Sequence, residues 1–181
     1  MEKKSIYKYA SEAGVPAGLY LTLMSACLLL SVKFSLLPLL LFPLGLGFPF
    51  LLWMLIRRIS REEPSYDKFS SLWLGGIYTV IFGTLISMFL SAIYIVVFEP
   101  GFVHLYVSNA IEALESSPLG GEYESSLALM REAIDAHLLP SGLEFLSTMA
   151  WLTCFTGSVL SLVIALIMTK FIRKETRQYS A

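Results

Sequence analysis

Charged residues and recognisable catalytic motifs are both scarce in this chain, and each shortage excludes a class of protein. Only 15% of the 181 residues are charged and 56% are hydrophobic, whereas soluble domains carry about 25% charged residues. The chain is therefore too apolar for a soluble domain of average composition. The chain also lacks a glycine-rich phosphate loop, an HExxH sequence and a GxSxG sequence, which are common signatures of nucleotide-binding proteins, metalloproteases and hydrolases. We expect no enzymatic activity, no cofactor and no nucleic acid partner.

Four long apolar runs are the main feature that the chain does have. They cover about residues 15–32, 34–56, 73–98 and 145–172, and none has a charged residue near its middle. Each run is long enough to cross the roughly 30 Å of hydrocarbon in a bilayer at about 1.5 Å per residue. In lipid the backbone must satisfy its own hydrogen bonds, which requires helices. A soluble helical bundle is the weaker alternative, because these runs are apolar on all sides.

Basic residues are distributed unevenly between the two ends of these runs. Eleven of the thirteen Lys and Arg residues lie in the N-terminal segment, in the link between the second and third runs, or in the C-terminal tail. The other two are Lys33 and Arg131. The positive-inside rule then places both termini and the link between the second and third runs in the cytoplasm. The connection 99–144 holds eight acidic residues and one basic residue, so a segment with a net charge of −7 faces outward.

The basic N-terminus followed by an apolar run also resembles a secretory signal, and Met24–Cys27 resembles a lipoprotein cleavage box. However, Cys27 is followed by a further apolar stretch where a lipoprotein turns polar. We therefore expect an uncleaved first span. Cys27 and Cys154 both lie within spans, where we expect packed thiols rather than a disulfide.

Small residues recur at every fourth position in three of the spans. Lipid gives helices no hydrophobic reason to associate, so close contact depends on such residues, and the spacing keeps each series on one helical face. We expect the series to pack inside the bundle, and the alternative is that one ridge contacts a partner chain. The series are Gly14, Gly18, Thr22 and Ala26; Gly75, Thr79, Gly83, Ser87 and Ser91; and Thr153, Gly157, Ser161, Ala165 and Thr169.

The second span is unusual in its prolines, which are Pro38, Pro43 and Pro49, with Gly45 and Gly47 between them. Proline removes a backbone donor and clashes with the preceding turn, so the hydrogen-bond ladder must be disturbed. Broken helices line substrate sites in transporters, but no ion-pairing residue lies near these prolines. We therefore expect a kinked or re-entrant packing helix rather than a functional break.

The connection 99–144 is too long for a bare loop. Apolar residues recur at helical spacing in 102–116 and again in 122–139, and a Pro-Leu-Gly-Gly stretch separates the two. We expect a helical hairpin on the outer membrane surface or over the mouth of the bundle. The predicted fold class is therefore all-α, a polytopic membrane protein of four transmembrane helices plus an extracytoplasmic amphipathic helical hairpin. We expect these to form a single membrane domain of residues 1–181.

Both histidines, His104 and His137, lie in this connection among carboxylates. A metal site would need three or four ligands to converge. Glu112 is eight residues from His104 and Asp135 is two from His137, so neither histidine forms the i, i+4 ligand pair of a helix. We expect solvated surface residues and no metal. Nothing in the sequence brings two of the acids to the separation that a hydrolase needs.

Short motifs in and around the third span are similar to those of a known family. They are Tyr66-Asp67-Lys68-Phe69, Gly75-Gly76, Tyr94 and Glu99-Pro100-Gly101-Phe102. Together with the long third connection, they make nearly the whole chain resemble the domain-of-unknown-function family 4199, four-span integral membrane proteins of Bacteroidetes. The resemblance implies four spans in the inner membrane and carries over no catalytic residue. It also implies a polyprenyl-phosphate glycosyltransferase as a candidate partner, because such proteins are often encoded beside one.

Three kinds of function remain open, and we expect the first. It is a non-enzymatic accessory or scaffold protein of the cell envelope, which contacts membrane lipids and either a membrane protein partner or a second copy of itself. The second is a small transporter or a lipid-carrier flippase. The lack of charge at the span centres counts against coupled transport, since charges kept there usually mark ion pathways. The third, a membrane enzyme, has no credible set of residues.

Overall fold

The computed structural model describes residues 5–34, 36–62, 66, 68–116 and 124–178, with side chains as far as Phe171. Within these residues every regular element is a helix, which confirms the predicted all-α fold class. The helices are α1 (Ile6–Leu30), α2 (Leu37–Glu62), α3 (Phe69–Phe98), α4 (Phe102–Glu115), α5 (Glu124–Asp135) and α6 (Gly142–Gln178).

Four helices are long and apolar enough to cross a membrane, namely α1, α2, α3 and the Gly142–Phe171 part of α6. The predicted four-span fold is confirmed. The helices extend beyond the apolar runs, because their charged flanking residues continue the helical hydrogen bonding outside the hydrocarbon. In α2, for example, Arg58 Nε donates to Glu62 Oε1 over 2.7 Å, the i, i+4 pairing that supports an exposed helix end.

The central helix of the bundle is α3. Helices α1 and α6 pack along different faces of α3, and α2 packs mainly on α1, with smaller contacts to α3 and α6. We call the end of the bundle that holds the α1–α2 link and α4 the cap end. The opposite end, where α1 and α3 begin, is the tail end.

The largest apolar core lies in the half of the bundle nearer the tail end, which we call the tail half. It is formed by buried side chains of α2, α3 and α6, and Leu52, Ile56 and Val80 are among its fully buried members. Every buried residue of α2 follows Pro49. In the other half, the cap half, α2 side chains such as Phe42 are 74% exposed. Helix α2 is therefore a packed helix only along its second half.

The third connection forms α4 and α5 at the cap end. Phe102 of α4 is fully buried against a cluster that includes Ile95 and Leu146, and Asn109 Nδ2 donates to the Val32 carbonyl over 3.0 Å. Of the two predicted placements, α4 therefore occupies the mouth of the bundle. The predicted Pro-Leu-Gly-Gly break between the two helices lies outside the described residues.

Local sequence explains where α5 ends and where α6 begins. His137 has a φ of 55°, and Leu138 N donates to the Ala133 carbonyl over 2.9 Å. These are features of a Schellman motif, in which the left-handed residue terminates the helix. Ser141 and Glu144 then form a capping box at the start of α6, with Ser141 N donating to Glu144 Oε2 over 2.7 Å.

Candidate functional site

The predicted small residues of α1 lie against those of α3. A Cβ atom at Gly14 would lie 2.5 Å from a side-chain atom of α3, and a Cβ at Gly83 would lie 3.0 Å from the backbone N of Gly18. The two backbones therefore approach too closely for side chains at these positions. Nearer the cap end, the hydroxyls of Ser25 and Ser87 hydrogen bond at 3.1 Å.

A second face of α3 lies against the small residues of α6. A Cβ at Gly157 would lie 2.5 Å from Val80 Cγ1, and a Cβ at Gly76 would lie 2.7 Å from Ser161 Cβ. Gly76 is absent from the predicted series, although the Gly75-Gly76 pair in the sequence was a usable signal. A Cβ at Gly75 would have its nearest neighbour at 3.6 Å, which is ordinary contact.

All members of the predicted packing set are buried within the bundle, between its own helices. Two of them also make hydrogen bonds along their own helices: Thr79 donates to the Gly75 carbonyl over 2.8 Å, and Ser161 donates to the Gly157 carbonyl over 2.7 Å. A partner chain could reach this set only if the bundle opened. The set is Gly14, Gly18, Gly75, Thr79, Gly83, Ser87, Gly157 and Ser161.

Helix α2 continues as one helix through Pro43 and Pro49, so it is not re-entrant. Pro38 lies in its first turn, where a missing N–H costs no intrahelical bond. Between the two internal prolines, the Tyr20 hydroxyl of α1 donates to the Leu44 carbonyl over 2.7 Å. A neighbouring span thus supplies a donor to the stretch of α2 whose ladder the prolines interrupt.

Gly47 provides the space for this contact. A Cβ at Gly47 would overlap Tyr20 Oη, and the Tyr20 ring stacks on Phe48 with centroids 6.2 Å apart. The sequence interpretation did not single out Tyr20. A lone phenol in the middle of an apolar span was the available signal, because a buried hydroxyl needs a hydrogen-bond partner.

A cleft of about 210 Å³ lies between α1, α3 and α6 in the cap half, with Leu41 of α2 at its edge. Met149 of α6 lines the cleft and is also 37% exposed. The cleft therefore opens sideways to the surface that faces lipid. It ends towards the tail half, where α2 packs between the other helices and closes the bundle.

Several hydroxyl side chains line this otherwise apolar cleft. Ser25 and Ser87 bond to each other, and Thr153 Oγ1 donates to the Met149 carbonyl over 2.8 Å. Thr84 differs: its side chain is 5% exposed, and among the described residues its buried Oγ1 has no hydrogen-bond partner. Thr84 lies outside the fourfold series of α3, so the sequence pattern missed it. The hydroxyl residues that line the cleft are Ser25, Thr84, Ser87, Ser91 and Thr153.

The structure brings the two histidines to one groove of about 480 Å³ between α4 and the α5–α6 link. His104, His137 and Asp135 all line this groove. Within the part of the chain that the structure describes, no three His, Cys, Asp or Glu side chains are grouped closely enough to hold a metal ion. Cys27 and Cys154 are free thiols. The side chains brought together inside the bundle are mainly hydroxyl and apolar groups, which can form hydrogen bonds and apolar contacts.

Comparison with known proteins yields one match. A family model described as "Protein of unknown function (DUF4199)" matches residues 13–170, which include nearly all of the described bundle and cap. No curated protein and no solved structure matches the chain. The description of the family names no activity, so a proposal about function depends on the geometry above.

Proposed function

The chain belongs to the DUF4199 family, and on that premise we propose that it is a non-enzymatic accessory or scaffold protein of the bacterial inner membrane. Its partner binds the cap, by which we mean α4, α5 and the link to α6. The observation that carries this proposal is the exposure of α5. Leu127 is the one buried residue of α5, so this helix offers most of its surface to another molecule.

The cap combines a fixed base with an exposed outer helix. Helix α4 is anchored by the fully buried Phe102 and by the hydrogen bond of Asn109 to the Val32 carbonyl. Beyond it, Leu129 and Leu138 are 67% and 73% exposed. Exposed apolar side chains rimmed by polar ones are typical of protein interfaces. The anchored part of the cap, α4, loses little conformational entropy when a partner binds.

Charge indicates what kind of partner fits the cap. Its acids are exposed, and Arg131, which pairs with Glu115, is the single basic residue of the connection. A partner with a basic surface is therefore attracted, and a second copy of the same cap is repelled. A polyprenyl-phosphate glycosyltransferase, or other envelope machinery, is the candidate that the family resemblance suggests. The exposed acids in the described residues of the cap are Glu112, Glu115, Glu124, Glu132 and Asp135.

The proposal includes an orientation, in which the cap faces the periplasm and both termini are cytoplasmic. It is supported by the excess of Lys and Arg at the tail end. A reporter enzyme that is active only in the periplasm should work when fused after Ser116 and should be inactive when fused after Glu62. The reverse pattern would contradict the orientation.

The partner is tested by purification in a gentle detergent, followed by mass spectrometry of whatever protein remains bound in stoichiometric amount. The double variant Glu124→Lys/Glu132→Lys should reduce the amount of partner recovered by about tenfold, because like charges then face each other. The matched control, Glu124→Asp/Glu132→Asp, keeps the charge and should recover the partner as the wild type does. Unchanged recovery with the lysine variant, or a wild type that purifies alone as a monomer, would rule out the cap as a docking surface.

A small transporter or lipid-carrier flippase is the second candidate, and the structure of α2 favours it. All buried residues of this helix follow Pro49, and the residues between Leu37 and Pro49 are exposed or half-buried. A hinge at Pro49 would let the cap half of α2 tilt and extend the cleft towards the tail end. Protein reconstituted in liposomes should then transfer a fluorescent lipid between leaflets, and Pro49→Ala should slow the transfer several-fold. Wild-type liposomes with the leakage rate of empty ones would exclude this candidate.

A further inference from the structure

We propose that the cleft between α1, α3 and α6 binds a lipid that carries an oxygen atom far along its apolar chain, and that Thr84 Oγ1 hydrogen bonds to that oxygen. This proposal is independent of whether a partner binds the cap. The ligand class includes chains with a hydroxyl or a ketone near the middle.

The lining and position of the cleft indicate an apolar chain. Apart from its hydroxyl residues, the cleft is lined by Leu, Met, Phe and Ala side chains, such as Leu28, Met88 and Ala150. Apolar cavities of about 150 Å³ stay free of water and accept a molecule the size of benzene. This cleft is larger, at about 210 Å³, so it can take several carbons of a chain.

The sideways opening at Met149 connects the cleft to the surrounding lipid. Nearby α2 side chains, such as Leu40 and Phe42, are 50% and 74% exposed, so they belong to the surface that contacts lipid chains. A chain from the adjacent leaflet can therefore enter without crossing a polar barrier. The occupant is a lipid and not a protein segment, because the cleft admits one narrow chain.

The hydroxyl of Thr84 indicates that the ligand carries a polar group in addition to its hydrocarbon chain. A buried hydroxyl without a hydrogen-bond partner is unfavourable in proteins, so a group that satisfies it is expected. Thr153, which lines the same cleft, already donates to the carbonyl of Met149. The Ser25 and Ser87 hydroxyls already bond to each other. Of these four hydroxyls, the Thr84 hydroxyl is thus the one without a partner among the described residues.

The depth of Thr84 determines where the oxygen of the ligand must lie. Thr84 is fifteen residues from Glu99, where α3 has ended, which places it about 22 Å below the cap end at about 1.5 Å per residue. The hydrocarbon of a bilayer is about 30 Å thick. A headgroup that stays at the interface cannot reach that depth, and so the oxygen must be carried by the chain.

The test compares two probes and two threonines. Purified wild-type protein in detergent is incubated with stearic acid or with a mid-chain hydroxystearic acid, and the bound probe is measured by native mass spectrometry. Wild type should retain the hydroxylated acid about three- to tenfold better, which is the range of one hydrogen bond inside a membrane protein. Thr84→Val should abolish this preference while still retaining stearic acid. Thr153→Val removes a cleft hydroxyl that is already bonded, so the preference should persist.

The location of the probe is tested with a variant that fills the cleft. Ala150→Phe should reduce retention of both acids, and Leu152→Phe, next but one on the same helix and 56% exposed, should not. Equal retention of the two acids by wild type would overturn the proposal, and so would loss of the preference in Thr153→Val. The lysine variant of the cap should leave retention unchanged, so failure of the cap proposal is distinguishable from failure of this one.

Discussion

In the tail half of the bundle α2, α3 and α6 meet around a shared set of buried side chains, whereas in the cap half α2 contacts α1 and leaves a cleft beside α3 and α6. All four spans are strongly apolar. The difference arises from α2, all of whose buried residues follow Pro49. An apolar composition therefore does not distinguish packed spans from open ones.

Some glycines illustrate the difference in packing, although Gly47 and Gly142 are closely contacted in the cap half as well. In the packed region, Gly76 and Gly83 let backbones or neighbouring side chains approach to distances that exclude a Cβ. In the cap half of α2, a Cβ at Gly45 would have no neighbour within 4 Å. Because lipid provides no hydrophobic drive for association, close van der Waals packing holds the first region together, and a lipid chain can enter where that packing is absent.

The largest effect is expected from filling the packed region. Gly76→Leu places side-chain atoms within 2.7 Å of Ser161 and within 2.9 Å of Ile56 Cδ1, and should lower the free energy of unfolding by about 3 kcal/mol or more. Gly45→Leu is the matched control, and should be neutral or stabilising by up to about 1 kcal/mol. Unfolding in a detergent titration measures both. Equal losses in the two variants would show that the halves do not differ in packing.

A smaller effect is expected at the contact of α1 with the open half of α2. Gly47→Ala should cost about 1–2 kcal/mol, because Tyr20 Oη must leave its place and lose the bond to the Leu44 carbonyl. In a Tyr20→Phe background the same substitution should cost almost nothing, since the next Tyr20 atom is at 3.5 Å. The double-mutant cycle is therefore strongly non-additive, and additive costs would show that the hydroxyl is not what Gly47 accommodates.

The cap should respond locally to a change at the end of α5. His137 adopts a left-handed backbone, which glycine adopts without the cost of a Cβ atom. His137→Gly should stabilise α5 by about 1 kcal/mol, seen as slower amide hydrogen exchange in that helix. His104→Gly, in the first turn of α4, should have the opposite sign, because glycine is a poorer helix former than histidine. Faster exchange in the His137 variant would contradict the role of the Schellman motif.

The smallest effect is expected at the ion pair of Lys33 with Glu99, at the cap end. Hydrogen bonding to the Glu99 carboxylate raises the pKa of Lys33 above its ordinary value of 10.5. A raised lysine pKa stabilises the fold below the pKa of the unfolded chain, and that contribution is lost as the pH rises through the folded-state pKa. The melting temperature should therefore fall slightly more above pH 10.5 for wild type than for Lys33→Gln. Parallel pH profiles would show that the pair contributes nothing.

Several features of the fold follow from local sequence. The four spans were predictable because the length of an apolar run is a property of consecutive residues, and so was the pair of cap helices. The capping box at Ser141 and Glu144 has an equally local signal. The helices are longer than the predicted apolar spans: α1 begins at Ile6 and α2 continues to Glu62, because helices do not stop at the edge of the hydrocarbon.

Sequence patterns identified only part of the candidate site. Fourfold spacing identified Gly83 and Gly157, yet it missed Gly76, Tyr20 and Thr84, because each matters through a residue on another helix or through a missing partner. Tyr20 and Leu44 are 24 residues apart. Which faces meet across such distances depends on how the helices rotate and tilt against one another.

The sequence by itself determined that this chain forms four apolar helices with an acidic connection, because hydropathy and charge along consecutive residues decide what enters lipid. Only the tertiary structure decided that α3 is central, that α2 packs along half its length and that a cleft lies in the other half, where Thr84 has no partner among the described residues. The physical reason is that packing between spans depends on the short-range fit of their side chains. Many arrangements of equally apolar helices are compatible with the same hydropathy pattern.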